Sequence, residues 1–412
     1  MRPLRTASAR RLSAIVALAA ALALSAAVAQ AALTGAGPVP APKALVDAIV
    51  DALDGPEPDG LTARIEFTNK LVPAGALPGR AASPLAAGAA GRLWIQQGGD
   101  FRLELQSDAG DAQIVAVGDT LTLYDASSNT LYRARLPDDA AGRHDRGDER
   151  LTPANVRRAL RRLAETWKIS AAQPTSTAGR PTYTARIAPR YGGGLLGAAE
   201  LAWDAIRGAP LRAAVYARGR TDPVLELEAT DVSYDAVADD DVRVAPPAGA
   251  KVVDLRRGQG RAARGRHADA SPRRGASPSR SRGRARSGAA AVAAVERRLD
   301  FDLAAPARLA GLPRRAVRLV TVGGERGALA IYGRGLGAIA VLQHGATANP
   351  RADEDAHGGG LRPAQIAIDG APGSELATAL GTVVTFERDG VAHVVAGSVA
   401  PALARSAARG LR

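Results

Sequence analysis

The spacing of apolar residues constrains this chain more than any other feature. Residues 114–137 read IVAVGDTLTLYDASSNTLYRARLP, two alternating runs joined by a polar tip. Leu121 and Leu123 point to one side of a strand, and Thr120, Thr122 and Tyr124 to the other. Beyond the tip Asp125–Thr130, Leu131, Arg133 and Arg135 alternate with Tyr132, Ala134 and Leu136. A period of two is the mark of a strand with one face buried, and the turn-forming tip makes the pair a β-hairpin. The signature recurs in RLWIQ, DFRLELQ and DAQIVAV before the hairpin, and in PTYTARIAP, AAELAWDAI, PLRAAVYARG and PVLELEATDVSY after it. In LTARIEFTNKLV, Leu61, Ala63, Ile65 and Phe67 share a face; Phe101, Leu103 and Leu105 lie opposite Arg102, Glu104 and Gln106. Such a chain is expected to build a large antiparallel sheet.

Helices are few. Leu45, Ile49 and Leu53 recur at helical spacing before Gly55. Thr152 and Pro153 form a cap and first turn for Val156, Leu160, Leu163 and Trp167, with arginines on the outer arc. Between these lies an Ala/Gly/Pro-rich stretch, 74–90, expected as a loop. A second compact segment carries strands AVRLVTV, ALAIYG, AIAVLQ, GTVVTFE and VAHVVAG, the last two joined at Asp389-Gly390, and a final helix opening at Pro401.

The first residues give an address. Arg2, Arg5, Arg10 and Arg11 precede an apolar run, Leu12–Ala29, and Ala29 and Ala31 suit cleavage after Ala31. The run is also long enough to stay as an anchor, so residues 1–31 are either a signal peptide or an uncleaved anchor. Both place the remainder outside the cytoplasm. The chain has no cysteine, which excludes disulfides, thiolate metal sites and a Cys nucleophile. Its +13 charge is local: residues 256–286 hold eleven arginines against Asp269 alone. The folded parts are near neutral, which argues against nucleic acid as a partner. The Arg/Ser-rich stretch reads as a disordered linker over 256–292, suited to electrostatic contact with an anionic envelope surface.

Chemical motifs are sparse. The five histidines show no metal spacing, and no nucleophile elbow, zinc-protease or P-loop pattern occurs. GLGAIA at 335–340 matches a dinucleotide fingerprint, but a β-like run follows where a helix is required, so a tight turn is the plainer reading. Asp235, Asp239, Asp240 and Asp241 lack calcium-loop spacing and read as a solvated turn. No catalytic residue, cofactor or metal is expected. A curved sheet covered by helices on one face, with apolar lining, instead suits a hydrophobic ligand. The residues expected to line it are Phe67, Leu93, Ile95, Phe101, Leu103, Leu105, Leu121 and Leu123.

The run 91–137, with Trp94, Arg102, Tyr124, Asn129 and Tyr132, resembles the lipoprotein-sorting carrier family (LolA/LolB-like). So does the later stretch carrying Asp204, Pro210, Leu211, Pro246, Pro247, Gly249 and Ala250, and the similarity covers about residues 40–254. A smaller domain after a carrier-like one resembles the layout of the sigma-E regulatory proteins RseB/MucB, whose last strands and helix ALAIYGRGLGAIAVLQ and VAHVVAGSVAPALARSAARGL are similar to. The resemblance implies an α+β fold: a curved antiparallel half-barrel sheet covered by helices over 40–255, and a smaller C-terminal α+β domain over 293–412. It further implies a non-enzymatic envelope sensor that binds lipid or lipoprotein acyl chains and a membrane anti-sigma factor. The alternative is an extracytoplasmic lipoprotein or lipid carrier, which needs no second domain.

Overall fold

The computed structural model describes residues 37–72, 84–136, 152–255, 280–346 and 363–412, apart from 109, 127, 193 and 246. The expected signal segment and most of the expected linker lie outside them. The fold is α+β with a curled antiparallel half-barrel sheet and few helices, as the sequence leads one to expect. The chain divides into two compact units, broken after Leu255.

The first unit opens with helix α1 (Leu45–Asp54), strand β1 (Gly60–Asn69) and a single helical turn, α2 (Pro84–Ala87). A meander follows: β2 (Ala89–Gln96), β3 (Phe101–Ser107), β4 (Gly110–Val117), β5 (Thr120–Asp125) and β6 (Thr130–Arg135). Part of the stretch expected as a loop is therefore ordered as α2 and the start of β2. Next come α3 (Pro153–Ala164), β7 (Trp167–Ile169), β8 (Gln173–Thr177), β9 (Arg180–Pro189), β10 (Leu196–Asp204), β11 (Pro210–Ala217), β12 (Leu225–Ser233), α4 (Asp239–Val242) and β13 (Lys251–Leu255). The sheet order is β13-β6-β5-β4-β3-β2-β1-β12-β11-β10-β9-β7, with β8 also on β9. Strand β1 thus joins the two runs of hairpins. Only the β13–β6 pair is parallel among those described.

Local chemistry accounts for these elements. The Thr152 side chain accepts from Asn155 N and caps α3, with Pro153 in the first turn. Trp167, expected to end that helix, begins β7 instead, since the helical bonding stops at Thr166. Asp125 and Thr130, expected in the hairpin tip, pair as the last rung of β5 and β6. The carboxylates at 239–241 lie in α4, where Asp239 accepts from Gln96 Nε2 at 2.7 Å.

The second unit contains α5 (Arg280–Glu296), β14 (Arg308–Leu309), β15 (Leu312–Val322), β16 (Glu325–Tyr332), β17 (Ile339–Gly345), β18 (Ala364–Ile368), β19 (Ala371–Thr378), β20 (Gly381–Arg388), β21 (Val391–Gly397) and α6 (Pro401–Arg409). Its strands run β14-β15-β16-β17-β21-β20-β19-β18. Ile339, Val341, Val384 and Val395 pack with Ala404, Ala407 and Ala408 of α6 in its core. Asp389 and Gly390 both have positive φ, as the D-G hairpin requires. The fingerprint-like glycines form one 3₁₀ turn, Gly335–Gly337, ahead of β17. Helix α5 corrects part of the expected linker. From Arg280 the chain is helical, because GAAAVAAVE is rich in the best helix former and its C-terminal part has a core to cover: Val292 and Val295 pack with Leu303 and Ala328.

Candidate functional site: an apolar sheet face

The residues expected to line a cavity fall on one side of the first sheet. Ile95, Phe101, Ala116 and Leu121 stand in register across β2–β5. Leu93, Leu103, Ile114 and Leu123 form the next row, and Leu105 pairs with Gly91 and Ala112. Phe67 pairs with Ala89 on β2 and Leu227 on β12. Leu103 and Leu105 are buried in a cluster with Leu61, Ala63, Ile65 and Leu211, and Phe67, Leu93, Ile95 and Phe101 pack against it partly exposed. Leu121 and Leu123 continue the rows beyond that cluster and are half-buried.

Sequence reasoning missed the other half of the face, which includes Leu201, Leu211, Leu227 and Ala229. The alternation in PVLELEATDVSY marks β12 but not which residues face inward. A bulge decides that. Ala63 pairs with Val232 and Ile65 with Ala229, leaving Thr230 as the extra residue. The shift turns Leu227 and Ala229 inward and Glu226 and Glu228 outward. No local signal identifies it, since β1 and β12 lie far apart in the chain.

The face is closed here. Between Leu61, Ala63, Leu93, Leu201, Leu211 and Leu227 lies a crevice of about 40 Å³. Ligand pockets run to several hundred Å³, and one water occupies about 30 Å³. A larger depression of about 490 Å³ lies along β1, but Glu66, Thr68, Asn69, Lys70 and Thr230 form much of its wall. Its polarity suits an acyl chain poorly despite its size. Farther along the apolar face, α1 lies over β9 and β10. Ala48, Ala172, Tyr183 and Trp203 are buried there against Leu45, Ile49 and Leu201. The Tyr183 hydroxyl donates to Ala41 O at 2.6 Å.

Polar groups brace the other side. Trp94 lies under the guanidiniums of Arg92 and Arg102, 5.6 and 4.8 Å from its ring centre. Arg102 also pairs with Glu104 and donates to Asp241 O of α4. Arg212, only 12% exposed, pairs with Glu200 and Glu226 at 2.9 and 2.6 Å and reaches Glu228 at 3.6 Å. Burial works against its charge, but Tyr216, Glu226 and Glu200 hold its pKa above the usual value. Glu228 is raised, by burial first and then by Glu226 and Glu66, although Arg212 opposes the shift. The Tyr216 hydroxyl accepts from Arg212 at 2.9 Å and donates to Glu200 at 3.2 Å, so the group braces β10, β11 and β12 together. Among the described residues, no group of three or more His, Asp or Glu is placed to hold a metal ion.

The sequence landmarks also have structural work. Asn129 adopts φ 46°, accepts from the Tyr124 hydroxyl at 3.0 Å and donates to Gly249 O at 3.2 Å. Its carbonyl accepts from Lys251 N, and these bonds dock the parallel strand β13. Asp204 is fully buried at the β10–β11 turn. Its Oδ1 accepts from Ile206 N and Arg207 N, and its Oδ2 from Arg180 Nε and Tyr234 Oη. Burial would raise this carboxyl, but the four donors hold it below the usual value.

No protein-family model matches the chain, and no curated protein matches it. Solved structures similar to it include members of the class that its motifs resemble, such as a LolA superfamily protein from Nitrosomonas europaea. That likeness has 12% identity, covers 49% of this chain and 98% of the other, and has a TM-score of 0.21. They also include MucB in complex with MucA(peri), at 14% identity over 89% of this chain and 97% of that one, TM-score 0.39. The Pseudomonas aeruginosa MucA/MucB complex is similar at 15% identity over 88% and 94%, TM-score 0.38. These are the two groups that the sequence resembles.

Proposed function

We propose that this chain is an extracytoplasmic, non-catalytic protein that binds the acyl chain of a lipid or lipoprotein on the apolar face of its first unit. The carrying observation is the continuity of that face. Residues from five strands align on one side, and Leu121 and Leu123 prolong it past the packed cluster. Each methylene moved from water onto such a surface contributes about 0.8 kcal/mol, so ten or more give useful affinity without any polar chemistry. The closed crevice means that lining side chains must shift to admit a chain. On this reading the protein is an envelope regulator in a sigma-factor pathway, and the partner implied by the motif resemblance is a membrane anti-sigma factor. A second unit with its own core is the feature that favours a regulator over a shuttle, since carrying needs only the first.

The test is native mass spectrometry of the chain purified from its own envelope without detergent, followed by titration with 11-(dansylamino)undecanoate. A stoichiometric acyl adduct and saturable probe binding are expected. Leu121→Asp with Leu123→Asp, at half-buried positions outside the packed cluster, abolishes both while the melting temperature is retained. An empty protein that takes up no probe overturns the reading.

A further inference from the structure

The apolar face contains one polar atom whose situation the acyl-binding reading leaves unexplained. Trp203 is 6% exposed, and its indole Nε1 is buried with no acceptor among the described residues. Neighbouring buried polar groups are satisfied: Tyr183 Oη bonds Ala41 O, Asp204 accepts four donors, and Thr182 bonds Thr175 at 2.9 Å. Buried donors are nearly always paired, so an orphan in so well-satisfied a region calls for a partner. Of the other buried atoms without a partner, Arg102 Nε belongs to the opposite side of the sheet, and Tyr332 Oη and His393 Nδ1 belong to the second unit.

Trp203 adjoins the crevice through two of its lining residues. It is paired with Pro210 across β10–β11 and packs with Leu201, and both residues line the crevice. The remaining walls nearby, Leu211, Ala213 and Leu227, carry no side-chain acceptor. A ligand entering there meets apolar side chains and the segment at Arg212, whose guanidinium pairs with Glu200 and Glu226 on the opposite side, with Trp203 packed against the Leu201 wall. Indole is a donor only, so its partner must be an acceptor. An acyl chain brings one such atom, its carbonyl oxygen.

Resting on the acyl-binding reading, we infer that Trp203 is the polar contact of the site: its Nε1–H donates to the ester or amide carbonyl of a fatty-acylated ligand whose chain runs over Leu201, Leu227 and Leu93. The contact fixes which end of the chain lies under α1. It also separates acylated molecules from plain hydrocarbon, which the apolar walls alone cannot do.

The experiment uses the full chain with ¹⁵N-labelled tryptophan and three probes: methyl dodecanoate, N-methyldodecanamide and dodecane. Each is titrated as a competitor of dansylaminoundecanoate. The chain has three tryptophans, so Trp94→Phe and Trp167→Phe assign the indole signals. The Trp203 Nε1–H resonance is expected to move downfield with the ester and the amide and to stay in place with dodecane. Trp203→Phe is expected to weaken ester and amide about fivefold while leaving dodecane unchanged. A larger loss for the amide points to N-acylated protein as the source, and a larger loss for the ester points to glycerolipid. If all three compounds displace the probe equally and the resonance does not move, the inference is overturned and acyl binding stands. If none displaces a bound probe, the inference is overturned, and if the probe itself does not bind, both fall. The wild-type resonance decides the matter even if Trp203→Phe does not fold.

Discussion

Single residues here act mainly through what they leave satisfied. Asp204→Asn keeps an oxygen for the amides of Ile206 and Arg207 but sets an NH₂ against the donors from Arg180 and Tyr234. Two donors facing a third, inside a buried turn, are expected to cost about 2–3 kcal/mol in urea unfolding. Because the carboxyl pKa is held below its ordinary value, its contribution is complete above about pH 4 and fades as the pH falls through the folded value. The Asn variant should therefore lose the part of the acid dependence that lies below that pH.

His393 has a linkage of the same sign, set at a higher pH. It is 5% exposed and stacks on Phe386 with ring centres 4.5 Å apart and planes 3° from parallel. Burial, then Arg388 and His344, push its pKa down to about 4, against a small opposing pull from Asp389. Unfolded, it would take a proton near pH 6.5, so between about 6.5 and 4 the unfolded chain binds the extra proton. Stability of the second unit should thus fall with acidification across that window, by roughly 3 kcal/mol at most. Denaturant melts at pH 7 and pH 5 check this. His393→Phe should flatten the slope, and an unchanged slope would rule out His393 as its source.

At the scale of elements, the first sheet depends on two devices, a cap and a docking contact. The Thr152 bond to Asn155 N starts α3. Thr152→Ala should destabilise the first unit by about 1 kcal/mol, seen as a lower urea midpoint with unchanged slope. Strand β13 depends on Asn129, whose backbone and side chain both bond the segment leading into it. The motif Tyr124…Asn129 is recognisable in the sequence, but its purpose is not. Only with β13 laid parallel to β6 does it become clear that Asn129 serves a strand more than a hundred residues later. Helix α5 makes the converse point. Its arginines and serines suggest a solvated tether, and the alanines that follow outweigh them where a core is available to cover.

For the whole molecule, charge and fold are separable. Eleven arginines within residues 256–286 account for most of the excess positive charge. Each basic side chain near an anionic surface contributes about 1 kcal/mol, attenuated by salt. The chain should sediment with vesicles containing anionic lipid at low ionic strength and be released as salt rises. Replacing those arginines with glutamine should abolish retention without changing probe binding by the first unit. Retention that persists in high salt, or in the Gln variant, would remove the electrostatic role.

Most strands of both units were legible in the sequence, because alternation and turn residues are local signals: Leu121 with Leu123, or Asp389 with Gly390, need only their neighbours to be read. The large antiparallel sheet, and the sharing of a side by Phe101, Leu103 and Leu105 or by Leu121 and Leu123 within their own strands, follow from that periodicity. Tertiary structure decided the rest. The pairing of β1 with β12, the bulge at Thr230 that sets which half of β12 faces inward, the closing of the crevice and the burial of Trp203 without an acceptor all depend on contacts between residues far apart in the chain. Alternation fixes which residues share a side of one strand. Only packing against distant strands decides what that side touches and how much room is left beside it.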